Sequence, residues 1–322
     1  MSDSPSNAIV SATVDPPPSS PCDIERPSDF EKFWADTLAE ADAIPLNATC
    51  ERSELRSSDT VDTYRVHYDS LDGVRIAAWY CVPKNATGPV PVMLTPPGYI
   101  SDPIIPKDWP ARGYAAITPG PRGKVGSRTQ FDPGYPGLLT ENIVDRNTYS
   151  YRGFYVDVIR AIDFVKTRKE IDADNIGVYG GSQGGALAII AAALRSDDIR
   201  AAGAAVPYLA DFLGALELDH TYPYYEIADY LKQYPERREA VKDTLAYFDC
   251  VNFGPMVKCP IVVNLGMQDN IVPPQTCRAA YDALGSEDKT LYCYPNCGHD
   301  GGVNRGFNPI LYEFLAKHFL DG

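Results

Sequence analysis

The run Gly180-Gly181-Ser182-Gln183-Gly184 lies between two segments of different character. Before it, Ile176-Gly177-Val178-Tyr179 is short and apolar and predicts a buried strand. After it, Ala186 to Leu194 is an almost unbroken apolar helix former and predicts a helix buried on every side. A chain that passes from strand to helix over a single residue crowds its own backbone, and a side chain at either flanking glycine would collide with its neighbours. Ser182 is thereby set at the tip, strained and exposed. The backbone N–H groups behind it point to where a negatively charged oxygen could form.

A turn of this kind belongs to a strand–helix alternation, and the rest of the chain supplies one. Phe30, Phe33, Trp34, Leu38 and Ala41 predict an amphipathic helix over residues 27–42, capped by Ser28 or Asp29. Thr63–Tyr68 and Val74–Val82, punctuated by Leu71-Asp72-Gly73, predict a hairpin. Pro91–Thr95 and Tyr114–Thr118 predict short buried strands. Residues 120–150 predict loops, and Phe154, Val158, Ala161, Ile162 and Val165 a helix. Beyond the serine turn come a strand at Ala201–Val206, another at Ile261–Leu265, a helix near Gln275–Leu284, a strand at Thr290–Tyr294 and a last helix through Ile310, Leu311, Phe314, Leu315 and Phe319. The stretch 207–258 breaks the alternation with a helical, tyrosine-rich pattern. The expectation is an α/β chain: a mainly parallel twisted sheet with helices on both faces, antiparallel strands at one edge, and a small helical insertion over the strand ends. Residues 1–21, rich in Ser and Pro, predict a loose tail, and 22–322 a single domain.

The 29 basic and 43 acidic residues leave a formal charge of −14. A field of that sign repels nucleic acid and anionic membranes, so neither is an expected partner. No run approaches the roughly 18 apolar residues of a membrane span, and the start Met1-Ser2-Asp3-Ser4-Pro5 does not resemble a secretory signal. A cytoplasmic location is expected, and the sequons at Asn47 and Asn85 then carry little meaning. The eight cysteines show no paired framework and read as mostly free thiols. Cys293 and Cys297 precede His299, but zinc needs about four ligands at ordered spacing, so no metal or other cofactor is expected.

A serine hydroxyl needs a base to act as a nucleophile at neutral pH. Of the four histidines, His67 falls inside a strand, His220 in the insertion and His318 in the last turn of the terminal helix. His299 stands in the glycine-containing loop between the last strand and the last helix, where a side chain can reach a distant serine. The acid that orients the imidazole is expected after a late strand, between serine and histidine in chain order. Asp269 meets that rule. Asp300 is the rival, but a residue adjacent to the histidine generally points away from it. The backbone N–H of Gln183 offers one oxyanion donor, and the Gly98-Tyr99 turn after an early strand occupies the place of the second. Such a donor is worth about 3 kcal/mol of transition-state stabilisation.

Together these residues resemble the acetyl xylan esterase/cephalosporin C deacetylase family, carbohydrate esterase family seven, from about Phe30 to Phe319. Three motifs carry the resemblance: Arg122-Gly123-Lys124 where the family has Arg-Gly-Gln, Gly180-Gly181-Ser182-Gln183-Gly184 unbroken, and His299-Asp300 where the family has His-Glu. Tyr135-Pro136-Gly137, Asp145–Tyr149, Phe248–Phe253 and Asp269–Pro274 look similar as well. The resemblance implies an α/β-hydrolase fold, a triad of Ser182, Asp269 and His299, and an oxyanion held by the backbones of Tyr99 and Gln183. It implies removal of acetyl groups from xylo-oligosaccharides and cephalosporin C. Tyr208 and Ile271 are the candidates for substrate contact, although most tyrosines of the insertion are equally expected to pack it against the sheet. The family forms hexamers. The stretch Gly126–Asp132 is shorter here than the family's subunit-contact insertion, so a homo-oligomer is expected with hexamer, dimer and monomer all open.

The leading expectation is a serine esterase for short acyl groups whose activity rises from about pH 5 to 8, as a histidine base becomes neutral. A serine peptidase of the same fold is a second possibility, although such enzymes carry a large extra domain for which this chain has no room. A non-catalytic binding protein on the same scaffold is a third.

Overall fold

The computed structural model describes residues 14–21, 24–218 and 221–320. In chain order the elements are α1 (Phe30–Asp42), β1 (Thr49–Arg52), β2 (Val61–Asp69), β3 (Arg75–Pro83), β4 (Val90–Leu94), β5 (Ala115–Gly120), α2 (Ser150–Lys166), β6 (Ile171–Gly181), α3 (Gln183–Leu194) and β7 (Ile199–Ala205). They continue with α4 (Phe212–Leu216), α5 (Tyr225–Gln233), α6 (Arg238–Leu245), α7 (Cys250–Phe253), β8 (Ile261–Gly266), α8 (Pro274–Ala283), β9 (Lys289–Tyr294) and α9 (Phe307–Leu320). One sheet runs in the order β1-β2-β3-β5-β4-β6-β7-β8-β9. β1, β2 and β3 pair antiparallel, and β3 joins β5 antiparallel. From β5 to β9 every pairing is parallel. The expected α/β architecture with antiparallel strands at one edge is therefore what the chain forms.

Period-2 alternation divides each central strand between two cores. Ile261, Val263 and Leu265 of β8 face the larger core, which also takes Val92 and Leu94 of β4 and the buried faces of α1, α2, α3 and α8. Val262 and Met93 face the other way, into a smaller core closed by Phe307, Leu311, Leu315 and Phe319 of α9. α3 is buried along its whole length, as its unbroken apolar sequence requires. No helix among the described residues is long and apolar enough to cross a membrane.

The sheet order reverses at β4, which has β5 on one side and β6 on the other. Loops leaving the carboxyl ends of strands on the two sides of such a reversal diverge and open a crevice. The loops concerned are Pro96–Tyr99 after β4 and Ser182 after β6.

Several local expectations need correction. Asp29 does precede α1, but its carboxylate makes no cap bond. It accepts from the Tyr247 hydroxyl at 2.5 Å and sits 3.5 Å from Arg146, so it ties the helix entry to the insertion. β1 was not expected: its mostly exposed Thr49-Cys50-Glu51-Arg52 has no apolar alternation, and it is held by its pairing with β2 and by Cys50 against the core. Residues 14–21 of the expected tail form no helix or strand, yet Pro17 and Ser20 are buried, and the Ser20 N–H donates to the Gln275 carbonyl at 3.1 Å. The remainder of the tail, residues 1–13, lies outside the described residues, as do Cys22 and His220.

A buried ion pair pins the start of the 120–150 segment to α2. The Arg122 guanidinium donates to both oxygens of Asp157 on α2, through Nε at 2.9 Å and Nη2 at 3.1 Å, and to Asp72 at 2.7 Å. Asp157 is wholly buried and also accepts from the Arg122 backbone N–H and the Ser70 hydroxyl. Removing one partner of such a pair strands the other charge. Asp157→Ala is expected to destabilise the protein by about 3–5 kcal/mol, read as a lower urea midpoint in circular dichroism.

Candidate active site

The serine turn has the geometry that its glycines demand. Ser182 stands at φ 59°, ψ −124°, a conformation that a residue with a side chain adopts only under local constraint. A Cβ at Gly180 would meet the Gly184 carbonyl oxygen at 2.4 Å. A Cβ at Gly184 would meet the Pro96 carbonyl oxygen at 2.4 Å. The second contact matters most for the site, because it brings the loop after β4 against the start of α3. The turn that carries Gln183 and the loop that carries Tyr99 thus lie against each other.

Gln183 is fully buried and bridges the two loops. Its side-chain amide donates to the Pro97 carbonyl at 3.4 Å and accepts from the Tyr151 hydroxyl at 2.7 Å. Its backbone N–H opens α3, where the first N–H groups have no intrahelical acceptor. Among the described residues no acceptor takes the backbone N–H of Gln183 or of Tyr99.

A cavity of about 760 Å³ is lined by Ser182, Tyr99, His299 and Ile271, with Tyr222, Pro223 and Glu226 of the insertion forming one wall. Asp269 follows β8 and His299 follows β9, so adjacent parallel strands deliver both side chains to the same end of the sheet. His299 Nδ1 and Asp269 Oδ2 are 2.8 Å apart. The other oxygen of Asp269 accepts from the backbone N–H groups of Ile271 at 2.9 Å and Val272 at 3.0 Å, which fixes the carboxylate plane. A carboxylate only accepts, so the shared proton sits on Nδ1 and the Nε2 lone pair is left as the basic position of the ring. Asp300 is exposed at the cavity edge and makes no bond to the imidazole.

The His299 loop is tightly packed despite its glycines. The buried Asn264 side chain donates to the Gly301 carbonyl at 2.6 Å. Gly302 stands at φ 82°, and a Cβ there would meet the Tyr294 ring at 2.3 Å. These glycines allow close packing that holds the histidine in place. His67 pairs within β2 and β3, and His318 packs edge-on against Phe314 at 4.6 Å between ring centres. Neither lines the cavity. Cys293 and Cys297 are buried free thiols, and among the described residues no group of three ligands is placed to hold a metal ion.

The two substrate-contact candidates fall in different places. Ile271 lines the cavity. Tyr208 is fully buried behind it, edge-on to Tyr99 and Tyr224 with ring centres 6.1 and 4.5 Å away, and does not line the cavity. The tyrosine of the insertion that does is Tyr222. Sequence reasoning missed Glu226 altogether. Its carboxylate accepts from the Tyr99 hydroxyl at 2.6 Å and the Gly137 N–H at 2.9 Å, so it braces the loop after β4 from the insertion side. Burial raises its pKa despite these bonds, which favour the charged form. A glutamate within an amphipathic helix carries no sequence signal for that task.

Known proteins share this fold. The crystal structure of acetyl xylan esterase 1 from Thermoanaerobacterium sp. JW/SL YS485 superposes with a TM-score of 0.83 at 27% identity, covering 92% of this chain and 95% of that one. The acetyl xylan esterase from Paenibacillus sp. R4 superposes with a TM-score of 0.85 at 34% identity, covering 92% and 96%. Acetyl esterase Axe7A of Xylanibacter ruminicola is 29% identical over 283 residues. The chain spans less than two thirds of the length of the curated relatives it matches, 62% in the case of Axe7A. The family model described as acetyl xylan esterase (AXE1) matches residues 22–318. With nearly its whole length inside that match, this chain belongs to the acetyl xylan esterase family.

Proposed function

We propose that this protein is a serine esterase that removes acetyl groups from small acetylated carbohydrates, with Ser182, His299 and Asp269 as its triad. The observation that carries the reading is the Asp269–His299 bond, made by a histidine that lines the same cavity as the strained Ser182 turn. Ser182 Oγ attacks the ester carbonyl carbon while His299 Nε2 takes its proton. Asp269 Oδ2 stabilises the imidazolium that results. The carbonyl oxygen, now negative, accepts from the backbone N–H groups of Gln183 and Tyr99. As the tetrahedral intermediate collapses, the C–O bond to the sugar breaks and the imidazolium returns its proton to the leaving alkoxide. Water then repeats the sequence on the acetyl-enzyme: His299 takes its proton, acetate leaves and Ser182 is restored.

The choice of acetylated xylo-oligosaccharide as substrate rests on the family and on what the similar proteins are named for. A cavity of about 760 Å³ has room for a small sugar ester. Cephalosporin C as a further substrate, a cytoplasmic location and a homo-oligomer complete the reading, and light scattering on the purified protein tests the last of these. Ile271 and Tyr222 are the proposed contacts to the substrate, with Tyr208 supporting the wall from behind.

Ser182→Ala is expected to lower kcat on 4-nitrophenyl acetate by about 10⁶-fold, and full activity in that variant would refute the mechanism. Asp269→Asn, which keeps the shape but exchanges the acceptor, is expected to cost about 10⁴-fold in kcat. In a series of 4-nitrophenyl esters from acetyl to octanoyl, kcat/KM is expected to be highest at acetyl. A maximum at octanoyl would replace the carbohydrate deacetylase reading with that of a lipid esterase.

A further inference from the structure

Lys124 stands where the resemblance places a glutamine, and its side chain is wholly buried beside the loop that carries Tyr99. Its ammonium donates to the Gly98 carbonyl at 2.9 Å and to the Tyr99 carbonyl. It also lies 4.6 Å from the centre of the Tyr135 ring. Buried ammonium groups are ordinarily paired with a carboxylate, because desolvating an unpaired charge is costly. The acid that most favours this charge, Asp102, is engaged elsewhere: it accepts from the Val125 N–H at 2.9 Å and sits 3.5 Å from Arg128. The Lys124 charge is therefore held on two successive backbone carbonyls of one loop.

The Gly98 carbonyl and the Tyr99 N–H belong to a single planar peptide unit and point in opposite directions. Whatever fixes the carbonyl also fixes the N–H. A charged donor on the carbonyl oxygen further polarises the peptide and strengthens the bond that its N–H can give. The next carbonyl, that of Tyr99, is drawn to the same ammonium, so a flip of either peptide would take away one of the two carbonyl acceptors of a buried charge. At the other end of the residue, Glu226 holds the Tyr99 hydroxyl.

We propose that Lys124 is a positioning residue for the oxyanion site, its ammonium locking the Gly98–Tyr99 peptide so that the Tyr99 N–H faces the reacting carbonyl at Ser182. The inference rests on the esterase reading above and deepens it. The groups that face the ammonium are Asp102 from the loop after β4, which favours the charge, and Arg128 from the loop after β5, which opposes it. Tyr135 flanks it, and the Glu226 carboxylate lies beyond Tyr99. Burial outweighs the rest and pushes Lys124 down to about 7. The positioning charge is then lost as pH rises through neutrality. The rise in turnover expected from pH 5 should give way to a fall on the alkaline side, not to a plateau.

The test compares wild type, Lys124→Met and Lys124→Gln on 4-nitrophenyl acetate from pH 5 to 9, with reactive serines counted by fluorophosphonate titration. Lys124→Met is expected to lower kcat per titrated serine about 10- to 100-fold, to leave KM within about threefold, and to abolish the alkaline fall. Lys124→Gln, a neutral donor, is expected to recover part of kcat and also to lack the fall. Should Lys124→Met fail to fold, Lys124→Gln alone decides through its pH profile. The inference is overturned if the variants keep wild-type kcat per serine, or if they keep the alkaline fall. A side chain that merely fills space would lower the melting temperature and the number of titratable serines but leave both of those readouts unchanged. Failure of the esterase reading is recognised separately: wild-type protein would not consume the probe, whatever the lysine variants do.

Discussion

The arrangement of the candidate site depends on one close approach, that of Gly184 at the start of α3 to Pro96 in the loop after β4. With 2.4 Å between a hypothetical Cβ and the Pro96 carbonyl oxygen, no residue larger than glycine fits without displacing the loop. The approach occurs where the sheet order reverses, so two loops that would otherwise diverge are drawn together across the crevice. Gln183 bridges them through Pro97 and Tyr151, and Lys124 and Glu226 grip the loop further along.

The second half of the site is built by a different device. Asp269 and His299 arrive on adjacent parallel strands, whose register brings Gly266 opposite Tyr294 and so ends both at one level. Backbone N–H groups fix the carboxylate, and Asn264 ties down the histidine loop through Gly301. The imidazole is thus oriented by Asp269 on a loop that is itself tied down, which is the preorganisation that the proposed acyl transfer calls for. The tyrosine-rich insertion then closes the cavity, with Tyr222 and Glu226 facing it and Tyr208 and Tyr224 packed behind.

Much of this was legible in the sequence because it is written in periodicity and chain order. The alternation of apolar strands and helices located nearly every element of the sheet, and the strand-end rule selected Asp269 over Asp300. What escaped depends on partners far away in sequence. β1 has no apolar face of its own and exists through its pairing with β2. The role of Arg122 is set by Asp157 and Asp72, 35 and 50 residues distant. Glu226 meets Tyr99 across 127 residues. Asp29 looks like a helix cap, but Tyr247, 218 residues away, competes for its carboxylate. Long-range polar contacts leave no periodic trace, because one charged residue on a helix resembles any other until its partner is in place.

On the proposed reading, the groups that would meet the developing charge are main-chain N–H groups, set by the scaffold around β4 and β6, whereas one wall of the cavity comes from side chains of the separate excursion between β7 and β8. Exchanging Tyr222 or Pro223 reshapes the volume offered to a substrate and leaves those backbone donors where they are. The two parts can accordingly drift at different rates. Descendants of such a chain could change which alcohol or acyl group they accept through a few substitutions in one surface excursion, and keep the chemical step throughout.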